Sequence, residues 1–337
     1  MKLWFKSGAW ASKKARQVAQ QIVADEVESI AVIRHAAVGD MVLVRPFLIE
    51  LRRFFPNAKI TLSLCSNYMR GAPTELVDRV HVVYGSDQRE VSLKQQINRA
   101  KELGYHDLVF DLAATSRSFW LCKLTAAKLK LGFPYRVMQR YIYYDVTIPR
   151  SDMRFEAETM LEMLNLLGHA TQYPPKFDMQ VEATMRDRPY LVYFPSASTE
   201  EKCWPHASFA ELVALMSEHY PEYEHIVLEG IAEWESIDGM METLSGRENV
   251  TGLRLDDFDE TVSLVKGAGL LVGNDTGIRN IAIACETRTV GIFFATEPFR
   301  YWPRYGGHEA AFTANGDVPS VDQVFGLACK VMDQAAG

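Results

Sequence analysis

Leu270-Leu271-Val272-Gly273-Asn274-Asp275-Thr276-Gly277-Ile278-Arg279-Asn280-Ile281-Ala282 reads as a short buried strand, a polar turn and the first turn of an apolar helix. The turn has two readings. Asp and Thr are ordinary helix caps and Gly is an ordinary turn residue. Equally, the free N–H groups at a helix N-terminus and the positive end of its dipole form an anion site, and Gly277 lets a ligand approach the backbone closely.

The same alternation extends outward in both directions. Tyr190 to Phe194, His225 to Leu228, Leu270 to Gly273 and Thr289 to Phe293 read as strands. Between and after them Phe209 to His219, Trp234 to Leu244, Asp259 to Gly267 and Ile278 to Ala284 read as helices. Nearer the N-terminus, Ser29 to Ile33, Lys59 to Leu64, Val80 to Tyr84 and Asp107 to Leu112 read as strands. Met41 to Phe54, Ser92 to Leu103, Phe119 to Leu129 and Phe155 to Leu167 have helical spacing. Alternation of this kind implies parallel sheets covered on both faces. The polar, proline-bearing passage through Tyr173-Pro174-Pro175 and Arg186-Asp187-Arg188-Pro189 is the best linker. The expectation is an α/β chain of two facing, doubly wound, Rossmann-like domains, residues 28–175 and 189–337, joined by a linker at 176–188. In such sheets ligands bind outside the carboxyl ends of the strands, so the loops after strands are where chemistry is expected.

Composition narrows the classes. A chain of 337 residues with 48% hydrophobic residues has the make-up of a soluble globular protein. Its net charge of −7 argues against a nucleic-acid surface as the main role. Five scattered cysteines, never spaced C-x-x-C, suggest neither a disulfide framework nor a zinc site. No apolar run is long enough for a membrane span, and no secretory signal is visible, so a cytoplasmic location is expected. The extension at 1–27 is basic and aromatic, with Lys2, Lys6, Lys13, Lys14 and Arg16 around Trp4, Phe5 and Trp10. Two readings stay open for it: peripheral contact with an anionic membrane face, or a helix from about Ala11 to Asp25 packed through Val18, Ile22 and Val23.

Several loops carry chemistry-bearing residues. Arg34 to Met41 follows the first strand, with Gly39 permitting a tight turn and Asp40 placed either as a helix cap or as a general base. Pro195 to Pro205 offers hydroxyls at Ser198 and Thr199 and the point charge of Lys202, which suits a diphosphate or a solvated loop. Ser116 and Arg117 follow another strand, as a site or as a cap with an exposed arginine. Asp257-Phe258-Asp259 has the D-x-D pattern of some metal-dependent sugar transferases, but its acidic run before a helix reads as a cap, and no metal is expected.

In combination these segments resemble glycosyltransferase family 9, the heptosyltransferases. The resemblance runs from about Ile30 to Phe325. It is carried by Val32-Ile33-Arg34 with Gly39-Asp40, Phe55-Pro56-Asn57-Ala58-Lys59-Ile60, Asp107 to Leu112, Ser198-Thr199-Glu200-Glu201-Lys202-Cys203-Trp204-Pro205, Asn274-Asp275-Thr276-Gly277 and Ala295-Thr296-Glu297-Pro298. The resemblance implies a GT-B fold with an N-terminal acceptor domain, a C-terminal nucleotide-sugar domain and metal-independent, inverting transfer. Asp40 and Lys202 become catalytic residues. Ser198, Thr199, Asp275, Thr276, Gly277 and Asn280 would hold the donor, with Glu233, less so Glu235, on donor hydroxyls or ribose. Arg34, Gly39, Ser116 and Arg117 fall to the acceptor. The implied donor is ADP-heptose or another nucleotide sugar, with no further cofactor, and the acceptor is lipid-linked or polysaccharide. The chain departs from the family at Asn280, where His is usual, and at Phe294, where a glycine is usual. Other readings are a relative that binds nucleotide or glycan without turnover, and an epimerase using the same nucleotide cradle.

Overall fold

The computed structural model of the chain describes residues 9–19, 21–88, 90–134 and 137–334. The chain divides into two compact units, Met1–Phe177 and Asp178–Gly337. The first contains β1 (Trp10–Ala11), α1 (Lys13–Ala19), β2 (Ser29–Ile33), α2 (Val38–Val42), α3 (Arg45–Phe54), β3 (Lys59–Cys65), β4 (Arg79–Val83), α4 (Leu93–Lys101), β5 (Tyr105–Asp111), α5 (Ser116–Leu124), β6 (Ala126–Gly132), α6 (Val137–Tyr143), β7 (Val146–Thr147) and α7 (Glu156–Leu166). The second contains β8 (Tyr190–Phe194), α8 (His206–His219), β9 (Glu224–Glu229), α9 (Asp238–Thr243), β10 (Val250–Arg254), α10 (Phe258–Gly267), β11 (Leu270–Asn274), α11 (Gly277–Ala284), β12 (Thr289–Ile292), β13 (His308–Ala311) and α12 (Val321–Asp333).

The first sheet has the order β1-β7-β6-β5-β2-β3-β4, parallel except where β1 runs against β7. The second is wholly parallel, in the order β10-β9-β8-β11-β12-β13. In each, the chain builds outward from its central strand in one direction and then returns to that strand's other side. The reversal falls between β2 and β5 in the first unit and between β8 and β11 in the second, and it opens a crevice above the carboxyl ends of those strands. The central strands Ser-Ile-Ala-Val-Ile and Tyr-Leu-Val-Tyr-Phe are continuous apolar runs because helices cover both faces. Two such doubly wound domains constitute the GT-B fold.

Local structure departs from the sequence expectation in identifiable places. The single helix expected over Met41 to Phe54 is two, broken at Leu43 and Val44, with Pro46 in the first turn of α3, where its missing N–H is harmless. Gly39 accordingly lies inside α2 rather than in a tight turn. The helix expected over Phe119 to Leu129 ends at Leu124, and β6 begins two residues later. Its Ala, Lys and Leu residues are strong helix formers, which masks the alternation that buries Leu129 and Leu131. Pairing with β5 from Tyr105↔Ala126 to Asp111↔Gly132 overrides that propensity. The expected N-terminal helix over Ala11 to Asp25 shrinks to α1, which buries Ala15 and leaves Val23 half-exposed. Trp10 instead pairs with the sheet edge through β1, its ring edge-on to Tyr141 at 5.0 Å. Lys2, Trp4, Phe5 and Lys6 lie outside the described residues. Likewise, the helix expected over Trp234 to Leu244 is only the short α9 after a 3-10 turn.

Gly132, at the end of β6, packs against the Tyr144 ring, and a Cβ there would lie 2.1 Å from it. The Tyr144 hydroxyl donates to Asp111 Oδ2 at 2.7 Å, so this contact also holds the end of β5. Gly132→Ala should therefore destabilise the first unit by about 1–3 kcal/mol through overpacking, read as a lower thermal or urea midpoint.

Candidate functional site

In the first unit the crevice is formed by the loops after β2 and β5. Arg34 is fully buried and donates from Nη1 to Leu112 O (2.7 Å) and Glu156 Oε1 (3.1 Å), and from Nη2 to the backbone O of Asp40 (2.9 Å). Glu156 also accepts from Arg150. A buried guanidinium needs such a partner set, and these bonds pin α2 against the two central strands. Ala37, at the N-cap of α2, has no capping side chain, and Asp40 sits in the first helical turn instead. Its Oδ1 is buried without a hydrogen-bond partner among the described residues. Both ring nitrogens of the buried His35 are likewise unpartnered. Buried polar atoms in proteins are almost always satisfied, and with Arg34 Nε this loop holds four that have no partner among the described residues, which makes it a candidate ligand site. Burial, reinforced by the nearby Arg117 and His81 charges, drives the His35 pKa down to about 3 and keeps the ring neutral.

Beyond β5, Asp111 is completely buried and accepts from the N–H groups of Ala113 and Ala114, from Ser118 Oγ and from the Tyr144 hydroxyl. Burial nevertheless pushes its pKa up. The bonds hold Ala114 at φ 52°, a left-handed conformation that a non-glycine residue adopts only under such constraint. Thr115, not Ser116, caps α5. Ser116 and Arg117 are exposed at its start, and Arg117 Nη1 lies 3.3 Å from Cys65 Sγ at the end of β3.

In the second unit the loops after β8 and β11 are sewn together by Asn274. Its Oδ1 accepts from Trp204 N at 2.9 Å and its Nδ2 donates to Pro195 O at 2.6 Å, all of it buried. Trp204 is itself fully buried and donates from Nε1 to Pro319 O. This arrangement brings Lys202 Nζ to 3.5 Å from Asp275 Oδ2. Asp275 Oδ2 also accepts from Thr296 Oγ1 at 2.7 Å. Thr276, at the N-cap of α11, makes no capping bond, so Asp275 and Thr276 are not spent on closing the helix end. Ser198 and Thr199 are exposed in the same loop, while Ser196 Oγ is buried and unpartnered.

Arg279 carries no signal in sequence that would single it out, because an arginine in the first turn of a helix usually faces solvent. Here it is completely buried, stacked over Phe293 at 4.8 Å, and its side chain crosses Gly291, where a Cβ would lie 2.9 Å from Cδ. Its Nη2 donates to Tyr301 O (2.9 Å) and Asn280 Oδ1 (3.4 Å) and lies 4.0 Å from Asp275 Oδ1, whereas Nε and Nη1 have no partner. Burial lowers its pKa to about 10. Asn280 is thereby buried behind the helix N-terminus with a cation against its carboxamide. At the end of β9, Glu235 Oε2 accepts from Ala232 N, while Glu233 remains exposed. Asp257 caps α10 by accepting from Asp259 N and Glu260 N, which accounts for the D-x-D pattern.

The structure thus brings together Arg34, His35 and Asp40 at one reversal point, with Ser116 and Arg117 at the loop beside it. At the other it gathers Lys202, Asp275, Thr276, Gly277, Arg279 and Asn280. His35, Ser196 and Arg279 join the expected residues through their burial, a property no local motif reports.

Comparison with known proteins gives the family and the fold. The family model described as glycosyltransferase family 9 (heptosyltransferase) matches residues 93–321. Lipopolysaccharide heptosyltransferase 3 of Escherichia coli is 24% identical over 311 residues, covering 85% of this chain and 89% of that protein. A family 9 glycosyl transferase from Veillonella parvula superposes with a TM-score of 0.74 at 18% identity, over 93% of this chain and 99% of that one. The E. coli heptosyltransferase WaaC, solved with ADP-2-deoxy-2-fluoro heptose, gives 0.72 at 16% identity, over 92% and 100%.

Two measurements probe the site. Removing the Asn274 carboxamide leaves Trp204 N–H and Pro195 O buried without partners, so Asn274→Ala should cost about 1–3 kcal/mol per orphaned group, seen as a lower unfolding midpoint. Below pH 6.5 the unfolded chain takes up a proton that folded His35 refuses until about pH 3, so stability is present above 6.5 and declines across that window. His35→Asn should flatten this decline without abolishing it, because His308, buried in the second unit, is also held down, to about 4.

Proposed function

The chain belongs to glycosyltransferase family 9, and on that premise we propose that this glycosyltransferase moves heptose from ADP-heptose onto a lipid-linked glycan acceptor of the lipopolysaccharide core, with inversion and without a metal. The observation that carries the reading is the Lys202 ammonium 3.5 Å from Asp275, beside the uncapped N-terminus of α11. A cation and a row of free N–H groups directed at one spot are what a departing diphosphate requires. Similarity to E. coli lipopolysaccharide heptosyltransferase 3 and to WaaC, solved with ADP-2-deoxy-2-fluoro heptose, supports the choice of donor and acceptor.

In this mechanism the acceptor hydroxyl attacks the anomeric carbon as the bond from that carbon to the diphosphate oxygen breaks. Asp40 takes the hydroxyl proton, and its unpartnered Oδ1 is the atom free to do so. Arg34 is a positioning residue: it grips the backbone of Asp40 and leaves the carboxylate unneutralised. Lys202 and the N–H groups from Thr276 and Gly277 onward meet the charge that grows on the leaving diphosphate, assisted by the hydroxyls of Ser198 and Thr199. Asp275 orients Lys202, while buried Arg279 and Asn280 hold Asp275 and the helix end from behind. Glu233 stands exposed at the end of β9 to bind donor hydroxyls. Ser116 and Arg117, with Gly39 inside α2, belong to the acceptor side. In these terms the first unit is the acceptor domain and the second the nucleotide-sugar domain.

A thermal-shift comparison of ADP, UDP, GDP and CMP tests the donor. The expected outcome is stabilisation by ADP above the others, of about 2.7 kcal/mol at a hundredfold excess over Kd, lost in Lys202→Ala. Preference for UDP or GDP would move the donor to another nucleotide sugar, and no shift with any nucleotide would sink the enzyme reading. Asp40→Ala should keep the ADP shift while transfer falls by about 10²–10⁴-fold; full transfer in that variant would remove Asp40 as the base.

A further inference from the structure

One face of the first unit has a composition that the transfer reaction does not use. Helix α5 packs against both α4 and α6, and Leu-Lys-Gln-Gln-Ile-Asn-Arg-Ala-Lys, Ser-Arg-Ser-Phe-Trp-Leu-Cys-Lys-Leu and Val-Met-Gln-Arg-Tyr-Ile-Tyr contain no acidic residue. Large apolar side chains stand in solvent on all three: Leu93 is 71% exposed, Trp120 61% and Met138 71%, with Leu124, Tyr141 and Ile142 also exposed. The surface is continuous, since Leu124 lines both the apolar groove between α4 and α5 and the depression beside Tyr141 and Ile142. A contiguous apolar surface of this kind marks an interaction site.

Its charge identifies the partner. On these helices and the adjoining strands the described side chains Lys94, Arg99, Lys101, Arg117, Lys123, Lys128 and Lys130 stand against three acidic residues, Glu102, Asp107 and Asp111, in a chain whose net charge is −7. Of those three, Glu102 pairs with Arg99, Asp107 with Lys128, and Asp111 is buried. Lys14, Lys123 and Lys130 border the depression, where Asp145 is the acidic neighbour and is bonded to Lys130 N. Arg117 lies at the mouth of the groove. Exposed aromatic and aliphatic side chains among cations fit the interface of an anionic bilayer, where the rings enter the headgroup layer and the lysines meet lipid phosphates. A second copy of the chain would bring like charges together.

We propose that the α4–α5–α6 face docks the protein onto an anionic lipid surface. For its purpose the inference rests on the lipid-linked acceptor proposed above: Ser116 and Arg117 line the same groove, so an acceptor anchored in that surface presents its sugar at the β5 reversal point. The docking itself needs no donor, so its test is independent of turnover. The full chain, without nucleotide sugar, is sedimented with phosphatidylcholine vesicles containing or lacking phosphatidylglycerol. Binding is expected with phosphatidylglycerol, weakened by salt, and reduced about tenfold or more in Trp120→Ser/Leu124→Ser. Lys123→Glu and Leu93→Ser, both at exposed positions, should weaken it while the unfolding midpoint stays native. Equal binding to neutral vesicles, no binding, or undiminished binding in natively folded variants would overturn the proposal. So would light scattering that showed a dimer dispersed by the same variants with vesicle binding intact.

Discussion

The parallel pairing of β8 with β11 is the constraint on which the second unit depends. It places the carboxyl ends of two central strands side by side at the point where the winding reverses, so two loops distant in sequence must share one crevice. Asn274 completes the constraint. Its carboxamide satisfies a backbone donor and a backbone acceptor of the β8 loop that no water reaches, and Lys202 consequently approaches Asp275. The first unit solves the same problem with a charge: the Arg34 guanidinium bridges Leu112, Glu156 and the backbone of Asp40. One crevice is locked by a neutral amide and the other by a buried cation.

Several buried polar atoms without hydrogen-bond partners lie in these same loops. Among the described residues Arg34 Nε, His35, Asp40 Oδ1, Ser196 Oγ and two nitrogens of Arg279 have none. They lie in the loops or helix turns that follow β2, β8 and β11. Desolvation of polar atoms at the reversal points is a cost that a polar ligand bound there would relieve.

Arg279 supplies a charge that its neighbour lacks. Asn280 is neutral, but the Arg279 side chain sets a buried cation against both Asn280 and Asp275. Phe293, on which Arg279 stacks, and Gly291, over which it passes, make that burial possible. A positive charge therefore stands behind the helix end.

Much was legible in the chain alone. Continuous apolar runs at Ser29 to Ile33 and Tyr190 to Phe194, each followed by a polar loop and a helical period, determined two doubly wound parallel domains, because only strands covered on both faces read that way. Asp40, Lys202 and Asn274 to Gly277 stood out because residues after such strands reach a crevice. Other features needed the folded molecule. Strand β6 was hidden in helix-forming Ala, Lys and Leu, and only the ladder with β5 decided its state. Gly39 and the expected Met41 to Phe54 helix were settled by where backbone hydrogen bonds could close around Pro46. The burial of Arg279, the orphaned nitrogens of His35 and the continuity of the apolar face over α4, α5 and α6 depend on residues brought together from separate segments. Local sequence reports periodicity and propensity; burial and hydrogen-bond satisfaction are properties of the packed whole, and the tertiary structure alone decides them.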